Sequence, residues 1–165
     1  MEIRHIRVDD AEKFMQLVQR VEKEAKYMLL EPGERNTSID KQKKMIENIL
    51  KENHSTIFVA EENAELVGYL IAIGNKAKRK RHSVYLVIGI LQSYRGKGIG
   101  TRLFRKLEEW AENHKLHRLE LTVVTQNDAG VGLYQKMGFE IEGTKKDSLL
   151  LDGEFVDEYY MVKLI

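Results

Sequence analysis

Between Ser83 and Leu91 the chain passes through Val84, Leu86, Val87, Ile88 and Ile90 with hardly a polar side chain. Such a run reads as a strand buried on both faces. Four residues on stands Arg95-Gly96-Lys97-Gly98-Ile99-Gly100-Thr101. Leu103, Phe104, Leu107, Trp110 and Ala111 then recur at helical spacing, and Leu119 to Val124 is a second β-rich run. Strand, glycine turn, helix and strand make a crossover unit, and its two strands lie parallel. That unit excludes all-helical and purely antiparallel folds. Alternating glycines let the backbone turn tightly and keep side chains away from its N–H groups. At a helix N-terminus those unpaired donors and the helix dipole favour an anion, above all a phosphate. Arg95 and Lys97 add positive charge.

The remaining elements follow from period and punctuation. Glu2 to Val8 reads as an opening strand, with Asp9 and Asp10 as caps of a helix carrying Phe14, Leu17, Val18, Val21 and Ala25. Glu31-Pro32-Gly33-Glu34 interrupts it. Thr37 or Ser38 starts a second helix, whose apolar stripe is Ile39, Met45, Ile46, Ile49 and Leu50. Thr56–Ala60 and Leu66–Ile73 form a hairpin around Glu61–Glu65, and Asn75–His82 is a basic loop. Asp128–Met137 is a short helix stopped by Gly138. Phe139–Thr144 and Phe155–Leu164 close the chain as strands around Asp152-Gly153. The expectation is one α/β domain over residues 1–165, with a mixed, mostly antiparallel sheet flanked by helices.

Composition removes several functions. The 165 residues carry 27 Lys+Arg against 26 Asp+Glu, a formal charge of +1, so the surface as a whole is no nucleic-acid or membrane field. The absence of cysteine excludes disulfides, thiolate nucleophiles and cysteine metal clusters. No apolar run matches a membrane span or a signal peptide, and a cytoplasmic protein is expected. His114 and His117 lack the companions of a metal site, so no metal is expected. Five cations between Lys76 and Arg81 could grip RNA, an acidic peptide or a phosphate, but such a run is more often a solvated loop. Nucleic acid is not expected as a partner. The glycine spacing fits neither a P-loop nor a dinucleotide fingerprint.

Arg95-x-x-Gly98-x-Gly100 resembles the acyl-CoA signature of the GCN5-related N-acetyltransferase (GNAT) family. Asn127-x-x-x-x-x-Leu133-Tyr134-x-Lys136-x-Gly138-Phe139 is similar to its second signature, after the next strand. The tail Gly143-x-x-x-Asp147, Asp152-Gly153-Glu154-Phe155-x-Asp157 and Met161 resembles the branch of ribosomal-protein, polyamine and amino-acid N-acetyltransferases. The order of elements agrees over essentially the whole chain.

The resemblance implies an enzyme moving an acetyl group from acetyl-CoA, as cosubstrate, to a primary amine by direct transfer in a ternary complex. The strands at 83–91 and 119–124 would splay, with pantetheine between them. Ile88 and Ile90 would pair with its amides, and Gly89, as a bulge, would aim its N–H at the thioester carbonyl. The backbone of Arg95, Gly96, Lys97, Gly98, Ile99, Gly100 and Thr101 would hold the pyrophosphate. Asn127 would cap the short helix or touch the cofactor, and Tyr134 would protonate the departing thiolate. Two glycines, Gly130 and Gly132, lower the intrinsic stability of the helix that carries Tyr134. No general base is assigned: Tyr85 stands where relatives often have Glu, and Glu31, Glu34 and Glu120 are weak candidates. Substrate contacts are expected from loops around 26–38, 75–82 and 148–154. The partners expected are acetyl-CoA and an amine, with a homodimer allowed and no membrane. A catalytically weak acyl-CoA sensor or partner-binding module is the alternative.

Overall fold

Alternation and helical spacing resolve into seven strands and four α-helices in the computed structural model, which describes residues 1–165. The order is β1 (Glu2–His5), α1 (Ala11–Glu24), α2 (Ile39–Lys51), β2 (Thr56–Glu62), β3 (Glu65–Gly74) and β4 (Ser83–Ile90). Then come α3 (Ile99–Asn113), β5 (Arg118–Val124), α4 (Asp128–Lys136), β6 (Glu140–Leu151) and β7 (Glu154–Leu164). Ser38 is the N-cap of α2, its hydroxyl accepting the Lys41 N–H at 3.2 Å. Asp10 does not cap α1 with its side chain. Its carboxylate closes the preceding 3-10 turn by accepting the Arg7 N–H at 2.7 Å, and takes two bonds from Arg4.

One sheet of order β1-β2-β3-β4-β5-β7-β6 spans the molecule. Every neighbouring pair is antiparallel except β4 and β5, which the α3 crossover sets parallel. Their pairing is short: Ser83↔Arg118, Val84↔Leu119 and Tyr85↔Glu120. Beyond Tyr85 the two strands part. Tyr69 of β3 packs edge-on against Phe14 of α1 at 5.6 Å, whereas its neighbour Gly68 faces Ile99 of α3. Adjacent strand residues point to opposite faces, so α1 and α3 cover opposite sides. The core is filled by Phe14, Leu17, Tyr69, Leu70, Phe104 and Leu107, all essentially solvent-free.

Three expectations change. β1 ends at His5 rather than Val8, and β4 is not buried on both faces. Tyr85 is exposed and Val87, Ile88 and Ile90 are half-buried, because they border the space where β5 has left. The last hairpin is longer than its alternation suggests. A register break between Lys145 and Leu149, with Asp147 at φ +49° bonded to Asp157, interrupts the period of β6 without ending the strand.

Candidate active site

The parting of β4 and β5 opens into a cavity of about 1300 Å³ that runs between α1 and the start of α2 on one side and α3 and α4 on the other. Which backbone groups face it follows from the ladder phase. The Leu91 N–H donates to the Val67 carbonyl at 3.0 Å, and the β3–β4 register is unbroken from Gly68↔Ile90 to Gly74↔Val84. Antiparallel pairing alternates, so Val87 and Gly89 turn their N–H and C=O groups toward β3. Ile88 and Ile90 turn theirs toward the gap. The Ile90 carbonyl accepts the Arg95 guanidinium Nε–H at 3.2 Å.

Gly89 therefore departs from the expected role. It is not a bulge, and its N–H is phased toward Tyr69 rather than into the gap. Its glycine serves packing: a Cβ there would stand 2.6 Å from the Tyr69 ring, which lies across it. The N–H groups at the gap belong to Ile88 and Ile90.

The turn before α3 uses two glycines for conformation and one for space. Gly96 and Gly98 have φ of +72° and +78°, which L-residues adopt at a cost. Gly100 is helical, but a Cβ on it would stand 2.8 Å from Leu133 of α4. Gly98 is the N-cap and offers no side-chain acceptor. The first helical bond runs from the Arg102 N–H to the Gly98 carbonyl, and the first turn has no acidic residue. The donors of Ile99, Gly100 and Thr101 thus remain for an anion. Arg95, Gly96, Gly98, Ile99, Gly100 and Thr101 border the cavity; Lys97 does not, its ammonium lying over the Tyr94 ring at 5.1 Å.

Across the gap, α4 starts with Asn127, whose side-chain oxygen accepts the Gly130 N–H at 3.0 Å. Of its two expected roles, capping is the one the bond displays, although Asn127 also borders the cavity. A Cβ at Gly130 would stand 2.7 Å from the Asn127 amide nitrogen, so the glycine makes room for the cap. Tyr134 follows about two turns after Asn127. Its ring packs edge-on against Phe104 at 5.8 Å, and its side chain borders the cavity. Burial, with a smaller push from Tyr85, holds the phenol above its ordinary value of 10, so it carries its proton at neutral pH.

The acids named from sequence lie elsewhere. Glu34 accepts the Glu31 N–H at 2.8 Å, Glu120 is bonded to Arg118 at 2.7 Å, and none of the three borders the cavity. Tyr85 donates to or accepts from Thr122 across the gap at 2.7 Å. Of the carboxylates that do border the cavity, only Glu22 of α1 is withdrawn from solvent, at 3% exposure. It binds the Arg35 Nε–H at 2.6 Å. The signal was present: Glu22 interrupts the apolar stripe of α1, four residues after Val18 and three before Ala25. The segment 26–30, Arg35, Lys145, Ser148 and Leu149 border the cavity; residues 75–82 do not. His114 and His117 each bond a backbone carbonyl, of Trp110 and Ile165.

Residues 16–139 match the model of the acetyltransferase (GNAT) family. The L-amino acid N-acetyltransferase AaaT of Escherichia coli is 35% identical over 107 residues, which cover 64% of this chain and 66% of that protein, just under two thirds. The structure of a GNAT-family acetyltransferase from Streptococcus pneumoniae superposes with a TM-score of 0.95 at 30% identity, covering 99% of this chain and 98% of that one. The yncA protein of Salmonella typhimurium, whose structure includes its cofactor acetyl-CoA, shares the fold with a TM-score of 0.87 at 19% identity, covering 99% and 92%. No helix of the chain is long and apolar enough to cross a membrane.

Proposed function

The chain belongs to the GNAT acetyltransferase family, and on that premise we propose that it moves the acetyl group of acetyl-CoA directly to a primary amine within a ternary complex. The observation that carries this reading is the convergence on one cavity of an uncapped helix N-terminus, an open strand edge and a protonated phenol. The thioester supplies an activated acetyl group. The N–H donors of Ile99, Gly100 and Thr101 would hold the pyrophosphate, with Arg95 adding charge beside them. Ile88 and Ile90 would bond the pantetheine amides as a departed β5 would have done. The Ile88 N–H, rather than that of Gly89, is the backbone donor suited to the thioester oxygen.

The chemistry is a balanced exchange. The neutral amine nitrogen forms a bond to the carbonyl carbon, the carbon–sulfur bond breaks, and one proton passes from nitrogen to sulfur. Tyr134 is the residue suited to deliver a proton to the thiolate, since its phenol stays protonated. An amine that enters as ammonium releases one further proton to solvent.

Thiol release from acetyl-CoA with a panel of primary amines tests the reading. Direct transfer predicts release that depends on the amine, with double-reciprocal lines that intersect when both substrates are varied. Parallel lines would overturn direct transfer. Tight acetyl-CoA binding without release on any amine would make the chain a sensor instead.

A further inference from the structure

Glu22 is bonded through one carboxylate oxygen only. Its Oε2 is sealed from solvent and has no hydrogen-bond partner, the one such buried side-chain atom in the protein. A bare buried carboxylate oxygen is costly, and native structures keep few of them. Arg35 is the complementary half. It spends Nε on Glu22, while both its terminal amines have no protein partner. The pair borders the cavity with the negative charge deep, at 3% exposure, and the positive charge outward, at 41%.

The deep end borders the same cavity as Tyr69, Ile88 and Tyr134. Tyr69 packs across Gly89 at the open edge of β4, and Glu22 acts on it: burial first, and then the Glu22 charge, hold the Tyr69 phenol above its ordinary value. Met15, Val18 and Glu22 share one face of α1 and border the cavity together with Ala25 just past its end, so the pair has apolar neighbours.

We propose that Glu22 and Arg35 form the acceptor subsite, which takes a free α-amino acid with an apolar side chain, its amine to Glu22 and its carboxylate to Arg35. The inference rests on the acetyl-transfer reading above. A zwitterion presents plus and minus two bonds apart, the mirror of the charges on the wall. The free terminal amines of Arg35 offer the fork that a carboxylate matches. A polyamine or aminoglycoside would bring a second cation against Arg35. A peptide N-terminus carries no carboxylate at that distance. A turn of the Glu22 carboxylate toward the cavity would bring Oε2 out of its sealed position to the donor that it lacks, with the amine held where Ile88 and Tyr134 border the same cavity.

The test uses the full chain with L-leucine, L-leucinamide, 3-methylbutylamine and spermidine, read as kcat/KM for thiol release from acetyl-CoA. Leucinamide keeps the amine and side chain of leucine and loses the charge. Its amine is less basic, so more of it is neutral near pH 8, and intrinsic reactivity favours the amide. The wild type should nevertheless prefer leucine by roughly 10- to 100-fold, the worth of a charge-assisted bond. Arg35→Gln should bring the leucine-to-leucinamide ratio close to one. Glu22→Gln should lower leucine, leucinamide and 3-methylbutylamine together, because all three share the amine, and leave the ratio standing. A purely structural ion pair would move all substrates alike in both variants, with a lower melting temperature.

Leucinamide or spermidine used as well as leucine by the wild type overturns the proposal, as does an Arg35→Gln protein with its preference intact. If no amine is turned over, calorimetry of L-leucine into the CoA-saturated protein decides. Binding that Arg35→Gln abolishes supports the subsite, and no binding overturns it. Failure of acetyl-CoA itself to bind would overturn the acetyl-transfer reading separately, with the leucine titration repeated on the free protein to decide the subsite.

Discussion

Helices α3 and α4 begin on the same cavity and are finished in opposite ways. α4 is closed: Asn127 accepts the Gly130 N–H, and Asp128 supplies the acid that complements the dipole. α3 is open: Gly98 turns through a left-handed conformation, offers no acceptor, and is followed by no acid in the first turn. A closed terminus is what a helix needs for stability alone. An open one costs stability unless something else binds its donors. The difference divides the labour of the site: α3 should govern how tightly acetyl-CoA is held, and α4, by fixing Tyr134, how fast it reacts.

The largest effect should come from the rate side. Tyr134→Phe removes one hydroxyl, keeps the ring on Phe104, and should lower kcat by about 10² to 10³ at saturating amine. Acetyl-CoA affinity should stay within about 2-fold if the two termini really act separately. A wild-type kcat in Tyr134→Phe would end the division. The same phenol sets a pH expectation. Its native pKa lies above the unfolded value of 10, so its contribution to stability is complete below pH 10 and is lost as pH rises beyond it. The catalytic rate should therefore show no fall from this group below pH 10.

Next comes the affinity side. Gly98→Asp gives α3 a carboxylate that competes for its own donors and repels phosphate, making it like α4. The dissociation constant for acetyl-CoA should rise roughly 100-fold by calorimetry, with a much smaller change in kcat at saturation. Circular dichroism should remain helical, since an αL aspartate is among the better tolerated non-glycine residues. Opening α4 is the converse experiment. Asn127→Ala should cost about 1 kcal/mol in denaturant unfolding and lower kcat more than acetyl-CoA affinity.

The smallest effects mark the edge of the site. Lys97 lies over Tyr94 and outside the cavity, so Lys97→Ala should weaken acetyl-CoA by less than about 3-fold. Glu31→Ala, Glu34→Ala and Glu120→Ala should each leave kcat within about 3-fold, since none borders the cavity. A loss of several hundredfold in any of them would put a base where none is drawn.

What the sequence makes legible follows from how local its cause is. The α3 stripe of Leu103, Phe104, Leu107, Trp110 and Ala111 is buried as spaced, because helical period and burial share one geometry. The parallel pair is legible for the same reason, since a helical crossover leaves one handed solution. Ladder phase is not local. Whether Gly89 or Ile88 faces the gap depends on which β4 residues bond to β3, and alternation of side chains says nothing of that. Asp147 breaks the period of β6 by a single left-handed residue, so a twelve-residue strand reads as a short one. Glu22 stands out in sequence only as a break in the apolar stripe of α1, and what that break serves depends on the cavity, which no local pattern shows.

The brief union of β4 and β5 has a mechanical consequence. Three residue pairs weld one plate of the sheet, β1 to β4, to another, β5 to β7, and below Tyr85 the seam is unstitched. A plate joined along a short edge can flex about that edge, and a strand-like guest laid along the seam would lengthen the weld. The guest is then a structural member as well as a reactant. Amide hydrogens of Ile88 and Ile90, which have no strand opposite them, should exchange readily in the empty protein and slow when the seam is filled, so that the sheet stiffens as it is loaded and loosens as the spent thiol departs.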